Sequence, residues 1–228
     1  MSKLVNAKDV SMIYKTDAGD FYAVNHVNMG IEKGSLTILR GRSGSGKTTM
    51  LNMLSTLDSP SEGSIFFEDT EISRMTERKR ELFRRKNVGY VFQAVALLPM
   101  MNAYENVEFA LRLSHYRGNR KERIEEVLHK VGLSKRMYHM PYEMSGGEQQ
   151  RVAIARALAP RPRIIFADEP TAELDTATSF KVVKIFKDLI SEEGVTIVMT
   201  THDSWLFDVG DTCYEMEDGQ IVGNHDTV

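Results

Sequence analysis

The chain has 228 residues, of which 42% are hydrophobic and 27% charged, with a formal net charge of −3 and one cysteine, Cys213. The length suits one large domain or a domain with a sizeable insertion, and the charge balance gives no general attraction to nucleic acid. A lone cysteine excludes an internal disulfide framework, and no stretch approaches the roughly 18 apolar residues needed to span a bilayer.

The opening MSKLVNAKDVS has no apolar leader core, so the chain is expected not to cross a membrane by itself. Short strands are expected at 10–14 (VSMIY), 22–31 and 35–40, punctuated by Ala18, Gly19 and Asp20 and by Gly34. A helix follows from about Gly46, with Met50, Leu51, Met53, Leu54 and Leu57 on one apolar face, and stops before the turn-rich DSPSEG. SIFFE reads as a strand. Residues 74–86, seven basic and two acidic, read as a charged helix with a solvated face, and VGYVFQ returns to a strand. The pattern over 94–159 is mainly helical, which suggests an inserted helical subdomain. RIIFAD and VTIVMTTH are continuous apolar runs of the kind buried on both faces of a parallel sheet. Between them, 176–193 predicts an amphipathic helix with Phe180, Val183, Phe186, Leu189 and Ile190 facing inward. YEMEDGQIV reads as a hairpin turning on Asp218 and Gly219. Alternating strands and helices imply an α/β fold with a mostly parallel sheet, and the early strands an antiparallel layer to one side.

Several sheet edges carry chemistry. GRSGSGKT, at 41–48, has the phosphate-loop pattern of glycine, four residues and Gly-Lys-Thr, set between a strand and a helix. Its backbone through Gly41, Arg42, Ser43, Gly44, Ser45 and Gly46 can curl so that several N–H groups face one phosphate. Lys47 supplies a full charge for the outer phosphates, the Thr48 hydroxyl is placed for Mg²⁺, and Thr49 completes the loop's contacts. Asp168 ends a buried strand, where its carboxylate can hold the Mg²⁺ hydration shell. Glu169 follows and can polarise a water for in-line attack on a γ-phosphate. The plain alternative for both acids is helix capping. His202 ends the next buried strand, within reach of the same phosphate. Gln93 ends GYVFQ; its amide could reach Mg²⁺ or the attacking water while its backbone opens a mobile segment, and position alone leaves the role open. A second phosphate-binding turn, Ser145, Gly146 and Gly147, precedes a closely packed helix, where the plain reading is a serine N-cap.

In order and spacing these motifs resemble the nucleotide-binding subunit of an ABC (ATP-binding cassette) transporter, over almost the whole chain. GRSGSGKT resembles Walker A, Gln93 the Q-loop, MSGGEQQR the ABC signature, IIFADEP Walker B, AELD (ending in Asp175) the D-loop, and His202 the switch histidine. SGGEQQRVAIARALA and ADEPTAELD resemble the lipoprotein-releasing, macrolide-export and FtsE-like cell-division group. Some positions depart from the common pattern. Arg42 stands where proline is frequent, Met144 replaces the signature leucine, and Glu148 replaces a common glutamine, although glutamate is usual in this subgroup. Ala172 and Glu173 stand for Gly-Asn, and AVALLP after Gln93 is less polar than typical. None removes a catalytic group.

The resemblance implies a single cassette, with residues 1–93 and 160–228 forming a P-loop NTPase core with its β layer and 94–159 the helical subdomain. It implies Mg²⁺-dependent ATP hydrolysis, with Lys47, Glu169 and His202 in catalysis, Thr48, Gln93 and Asp168 around the metal, and Tyr14 stacked on adenine. Two cassettes would close head-to-tail on ATP, so that Ser145, Gly146, Gly147 and Glu148 contact the nucleotide of the other chain. The implied partners are an integral membrane permease of export or extraction type and, as an optional third component, an extracytoplasmic accessory protein, with no nucleic acid. The implied location is the cytoplasmic face of the cell membrane. The alternatives are a mechanotransmitting ATPase that activates a wall enzyme or sensor without transport and, further off, a soluble ABC ATPase. In the loop after Gln93, Val95, Leu97, Leu98, Met100 and Met101 crowd together; some should be core, and those left exposed should mark a docking site.

Overall fold

The computed structural model describes residues 2–17 and 19–226; Ala18, read as part of a turn, lies outside the described residues. The chain opens with two long antiparallel strands, β1 (Lys3–Thr16) and β2 (Gly19–Glu32). β1 is far longer than the short strand expected at 10–14, while β2 extends the one expected at 22–31 by a few residues. Polar Asn6, Lys8, Asp9, His26 and Asn28 obscure the alternation, and the pairing slips register between Ala7 and Val10. Asp9 takes positive φ at this irregularity and His26 at the next one, between Val10 and Met12, and His26 Nδ1 lies 2.8 Å from Asp9 Oδ1. A bulge held by a side-chain pair thus replaces what the sequence presents as breaks. β4 (Glu62–Phe67) pairs with β1, and the two-residue β5 (Thr70–Glu71) closes this four-stranded sheet in the order β2-β1-β4-β5.

The second sheet contains β3 (Leu36–Arg40), β6 (Val88–Val91), β7 (Ile164–Ala167), β8 (Thr196–Thr201), β9 (Thr212–Glu217) and β10 (Gln220–Asp226), in the order β10-β9-β3-β8-β7-β6. Every pairing is parallel except that of β10 with β9. The helices are α1 (Lys47–Leu54), α2 (Glu77–Asn87), α3 (Ala103–Leu113), α4 (Arg120–Lys130), α5 (Gly146–Leu158) and α6 (Thr176–Glu193). α3, α4 and α5 lie between β6 and β7 in the chain, where the helical insertion was expected.

The apolar runs of the parallel strands feed two cores, because successive side chains leave opposite faces. Ile165, Ala167, Ile197 and Met199 pack among α3–α6, while Ile164, Phe166 and Val198 pack with α1 and the antiparallel layer. Two inward assignments change. Leu57 lies beyond the end of α1 and is exposed, and Phe180 is 54% exposed, its ring meeting Trp205 at 4.4 Å while Val182 takes the buried position. The continuous Phe-Lys-Val-Val run allowed either phase for the helix face, and the sheet selects Val182, Val183 and Phe186.

Two charged side chains of α4, Arg123 and Lys130, join the helical insertion to Glu192 and Glu193 at the end of α6. Arg123 of α4 is 1% exposed. Its Nε and Nη2 donate to the carbonyls of Ala159 (3.1 Å) and Leu158 (3.0 Å) at the end of α5, and Nη1 lies 3.3 Å from Glu193 at the end of α6. Nη1 also lies 3.0 Å from Glu126 in its own helix, so the planar five-donor fork satisfies terminal carbonyls and two carboxylates at once.

Candidate nucleotide site

The parallel strands place every chemistry-bearing residue of the core at one edge. Ala167 pairs with Met199 and with Val91, so Glu169 and Gln93 each stand two residues beyond matched positions, and Thr201 leads directly into His202. Between β3 and α1 the phosphate loop turns through Gly44 (φ +82°) and Gly46 (φ +98°), a conformation that suits glycine. A Cβ at Gly46 would lie 2.3 Å from the Ala23 carbonyl, and one at Gly41 would lie 2.2 Å from the Met216 carbonyl. These glycines let β2 and β9 close against the loop.

The loop borders a cavity of about 900 Å³, lined by Arg40, the stretch from Gly41 to Ser45, Glu169 and His202. Its opposite wall is the β9–β10 turn: Glu215, Met216, Glu217 and Asp218. This wall is new relative to the sequence reading. Asp218 and Gly219 do form the expected tight turn, both at positive φ, but nothing local says that the turn abuts the phosphate loop. Gly219 N–H donates to Ser45 O at 3.1 Å, and Asn25 N–H to Gly219 O at 2.8 Å. Ser45 Oγ is buried without a hydrogen-bond partner among the described residues. A concave, glycine-lined loop with an unsatisfied hydroxyl and a buried ammonium fits a polyphosphate.

That ammonium, on the 4% exposed Lys47, donates to the carbonyls of Gly41 (2.8 Å) and Arg42 (2.9 Å) and lies 3.4 Å from Glu169 Oε1. Glu169 Oε2 in turn lies 3.1 Å from His202 Nδ1. An ionised carboxylate only accepts, so Nδ1 carries the proton of that bond. The same ring can then donate to a phosphate through Nε2 only as an imidazolium. Glu169 itself has φ of +43°, which turns its side chain away from that of Asp168.

Asp168 forms the neighbouring cluster. Its Oδ1 accepts from Thr48 Oγ1 at 3.1 Å and from Thr200 Oγ1 at 2.7 Å. Thr200 is fully buried and also accepts the Glu169 backbone N–H at 2.8 Å. One hydroxyl thus fixes both acids, a role invisible in the sequence, where Thr200 reads as one more β-branched residue of an apolar strand. Thr48 and Asp168 offer an alcohol and a carboxylate side by side, hard oxygen donors suited to Mg²⁺.

Gln93 is exposed at this edge and takes part in no hydrogen bond with these clusters among the described residues. The segment after it is pinned. Asn106, buried in α3, accepts from Leu98 N–H at 2.8 Å and donates to the carbonyls of Leu98, Met101 and Asn102, while Arg156 donates to Ala96 O at 2.7 Å. Tyr14 is exposed and pairs across the hairpin with Phe21, two residues from the Ala23 that touches the phosphate loop. Thr49 lies in the first turn of α1.

The second turn caps α5. Ser145 Oγ accepts from Glu148 N–H (3.3 Å), and Glu148 Oε2 accepts from Ser145 N–H (2.9 Å), a capping box. The Ser145 hydroxyl spends a lone pair on the cap and keeps its proton for an outside acceptor. Glu148 turns its carboxylate into the cap rather than outward. The Ser145 N–H, opposed by burial and helped by Arg136 and Arg151, holds that carboxyl below its ordinary range. Gly147 packs so closely that a Cβ would lie 2.4 Å from Thr178 Cγ2. Thr178 is bonded to Asp175, the N-cap of α6, at 3.0 Å through its N–H and 2.6 Å through its hydroxyl. The signature helix and the segment after Asp168 and Glu169 are thereby joined. No signature residue lines the phosphate-loop cavity of its own chain.

Fold and site together define an ATP-binding cassette: a P-loop sheet with an antiparallel layer and a helical insertion whose last helix starts from a capped Ser-Gly-Gly turn. The ABC transporter family model matches residues 24–172, and the chain belongs to that family. It is 41% identical over 220 residues to an uncharacterized ABC transporter ATP-binding protein of Methanocaldococcus jannaschii, MJ1508, covering 96% of this chain and 98% of that one. It is 39% identical to the lipoprotein-releasing system ATP-binding protein LolD of Aquifex aeolicus, with 98% of each chain covered. The solved dimer of the Methanocaldococcus jannaschii cassette MJ0796, in a post-hydrolysis state bound to ADP and Pi, superposes with a TM-score of 0.90 at 38% identity, over 98% of this chain and 99% of that one.

Proposed function

We propose that this cassette, an ATPase, closes with a second copy of itself on ATP, reopens after hydrolysis, and through that motion drives an integral membrane permease of export or extraction type. In this reading it works from the cytoplasmic face of the membrane. Any extracytoplasmic accessory protein would be met by the permease. The helical segment 94–159 moves as a unit against the core. Tyr14 stacks on adenine, and the loop from Gly41 to Thr49 cradles the phosphates. Lys47 leaves the Gly41 and Arg42 carbonyls for the outer phosphates. Thr48 and Asp168, with Gln93 arriving on closure, would hold Mg²⁺, which when bound neutralises phosphate charge. Glu169 draws a proton from the attacking water, oriented by Thr200 below and His202 beside it. Ser145, with Gly146 and Gly147, donates to the γ-phosphate bound by the other chain, and Asp175 sets the turn between the two sites.

The observation that carries the permease reading is a groove of about 530 Å³ that opens beside the segment after Gln93. α2 and β6 form one wall, and α3 with α5 the other. Phe92, Leu98, Phe109 and Leu113 line it, and Leu113, Phe92 and Phe109 are exposed. Gly89 lets β6 run against α5 at its floor, where a Cβ would lie 2.6 Å from the Ala157 carbonyl. An apolar trough of this size between core and helical insertion suits a short amphipathic segment. Relatives are named lipoprotein-releasing system ATP-binding protein LolD and macrolide export ATP-binding/permease protein MacB, which supports this reading. Of the crowded loop residues, Val95 and Leu97 pack on the core, Leu98 lines the groove, and Met100 is 86% exposed.

Leu98→Glu and Leu113→Glu should each release the subunit from native membranes while the purified chain still binds ATP. Retained membrane association by both folded variants would overturn the docking reading.

A further inference from the structure

We propose that the edge of the helical insertion beside this groove, centred on Arg117, Arg120 and Lys121, binds the headgroups of anionic phospholipids. Its orientation rests on the permease-docking reading, since a groove that receives a membrane subunit turns its rim toward the bilayer. α3 carries both features. Phe109, Ala110, Leu113 and Ser114 line the apolar groove, and the chain continues directly into a second cavity, of about 630 Å³, walled by Arg112, His115, Tyr116, Arg117 and Arg120.

The charge here runs against the rest of the molecule. Residues 112–121 contain four arginines or lysines and no acid, in a chain whose net charge is −3. Arg112 is tied to Glu108 at 2.9 Å. Arg117, Arg120 and Lys121 are exposed and make no ion pair among the described residues. The nearby acids are Glu108, Glu122 and Glu125; Glu122 already accepts from Asn119 Nδ2 at 2.6 Å. Asn119 caps α4, so the positive end of that helix opens on the same side. Across the groove, α2 exposes Arg78, Lys79 and Lys86, again with no ion pair among the described residues. Both rims of the trough are thus cationic.

The ligand chemistry follows from what the second cavity lacks. Apart from Leu111, which belongs to the core, and Tyr116, which packs against it, the cavity offers guanidinium and imidazole donors but little apolar surface for a folded protein segment to cover. No exposed aromatic interleaves the cations as a nucleic-acid groove would require. A solvated phosphate on a surface fits. Each basic residue held near an anionic membrane is worth roughly fivefold in partitioning, so three together amount to about a hundredfold at low salt. Such a contact would fix the cassette's tilt while the groove grips its partner.

The test uses the purified full chain and sedimentation with vesicles of phosphatidylcholine, alone or with a third phosphatidylglycerol. Wild type should bind only the anionic vesicles, more weakly as salt rises. The triple variant Arg117→Gln, Arg120→Gln, Lys121→Gln should lose about a hundredfold while keeping its melting temperature and ATP affinity. Inorganic phosphate at millimolar concentration should not displace the wild type; displacement would mean a free-anion site and overturn the lipid assignment. Equal binding of wild type and variant, or none by wild type, would overturn it too. So would a variant that keeps vesicle binding yet loses co-purification with the membrane partner, since the contact would then be to protein. No membrane partner is present on the vesicles, so this result is separate from the Leu98→Glu outcome.

Discussion

Thr200→Val removes one hydroxyl and nearly nothing else. That hydroxyl is fully buried; it donates to Asp168 at 2.7 Å and accepts from the Glu169 N–H at 2.8 Å. Loss of a hydrogen bond to a carboxylate costs about 1.5–3 kcal/mol, and the stranded N–H adds about 1, giving roughly 2–4 kcal/mol. For a domain of this size that corresponds to a fall in melting temperature of roughly 5–15 °C. The functional effect should be larger than a loss of stability explains. Glu169 sits at an unfavourable φ of +43° held by this bond, and a small displacement of a general base costs on the order of tenfold to a hundredfold in kcat. Steady-state ATPase assays well below the variant's melting temperature separate the two effects. Thr200→Ser keeps the hydroxyl and should recover most of the rate. A Thr200→Val protein with wild-type melting and turnover would refute the claim that this bond positions the acid.

Glu169→Gln should retain ATP binding and slow hydrolysis by about 10²–10⁴-fold, accumulating as an ATP-bound dimer on size exclusion; near-normal turnover would rule out the base role. Arg123→Met strands two buried carbonyls and half-frees Glu193, so it should destabilise the fold by about 3–5 kcal/mol in denaturant titration; a loss under about 1 kcal/mol would contradict the clamp. Burial works to raise the Glu193 carboxyl, but Arg123 and Lys130 hold it below the ordinary carboxylate range. The clamp's contribution is therefore full above the ordinary carboxylate range and fades as pH falls through the lowered value, so the gap between wild type and Arg123→Met should narrow there.

How much of this was legible depended on how local the signal was. The phosphate loop, Asp168, Glu169 and His202 announce themselves because each sits at a strand end, and parallel strands bring their ends to one edge. The buried strands were legible as unbroken apolar runs. Thr200 was not, because a β-branched residue inside such a run has a sufficient reason to be there. Nothing in the sequence marks Arg123 among the other charges of its helix, since burial of its guanidinium depends on carbonyls 35 residues and more away. The β1–β2 hairpin was underestimated for a related reason: the bulge closed by Asp9 and His26 is long-range. The β9–β10 wall of the cavity is a tertiary contact with no signature of its own beyond a turn.

The central claim is that each ATP site is built from two chains, and one mixing experiment tests it. Lys47→Ala removes the main phosphate charge, and Ser145→Arg fills the capped turn; each homodimer should be inactive. In a mixed dimer, one interface joins the damaged loop to the damaged turn. The other joins the intact loop of the Ser145→Arg chain to the intact turn of the Lys47→Ala chain. Differently labelled chains should therefore show ATP-promoted energy transfer well above either variant alone, with some hydrolysis restored if one whole site suffices. If each chain used its own Ser-Gly-Gly turn, every chain in the mixture would be defective. The absence of any ATP-promoted mixed dimer, with both variants folded, would contradict the shared site.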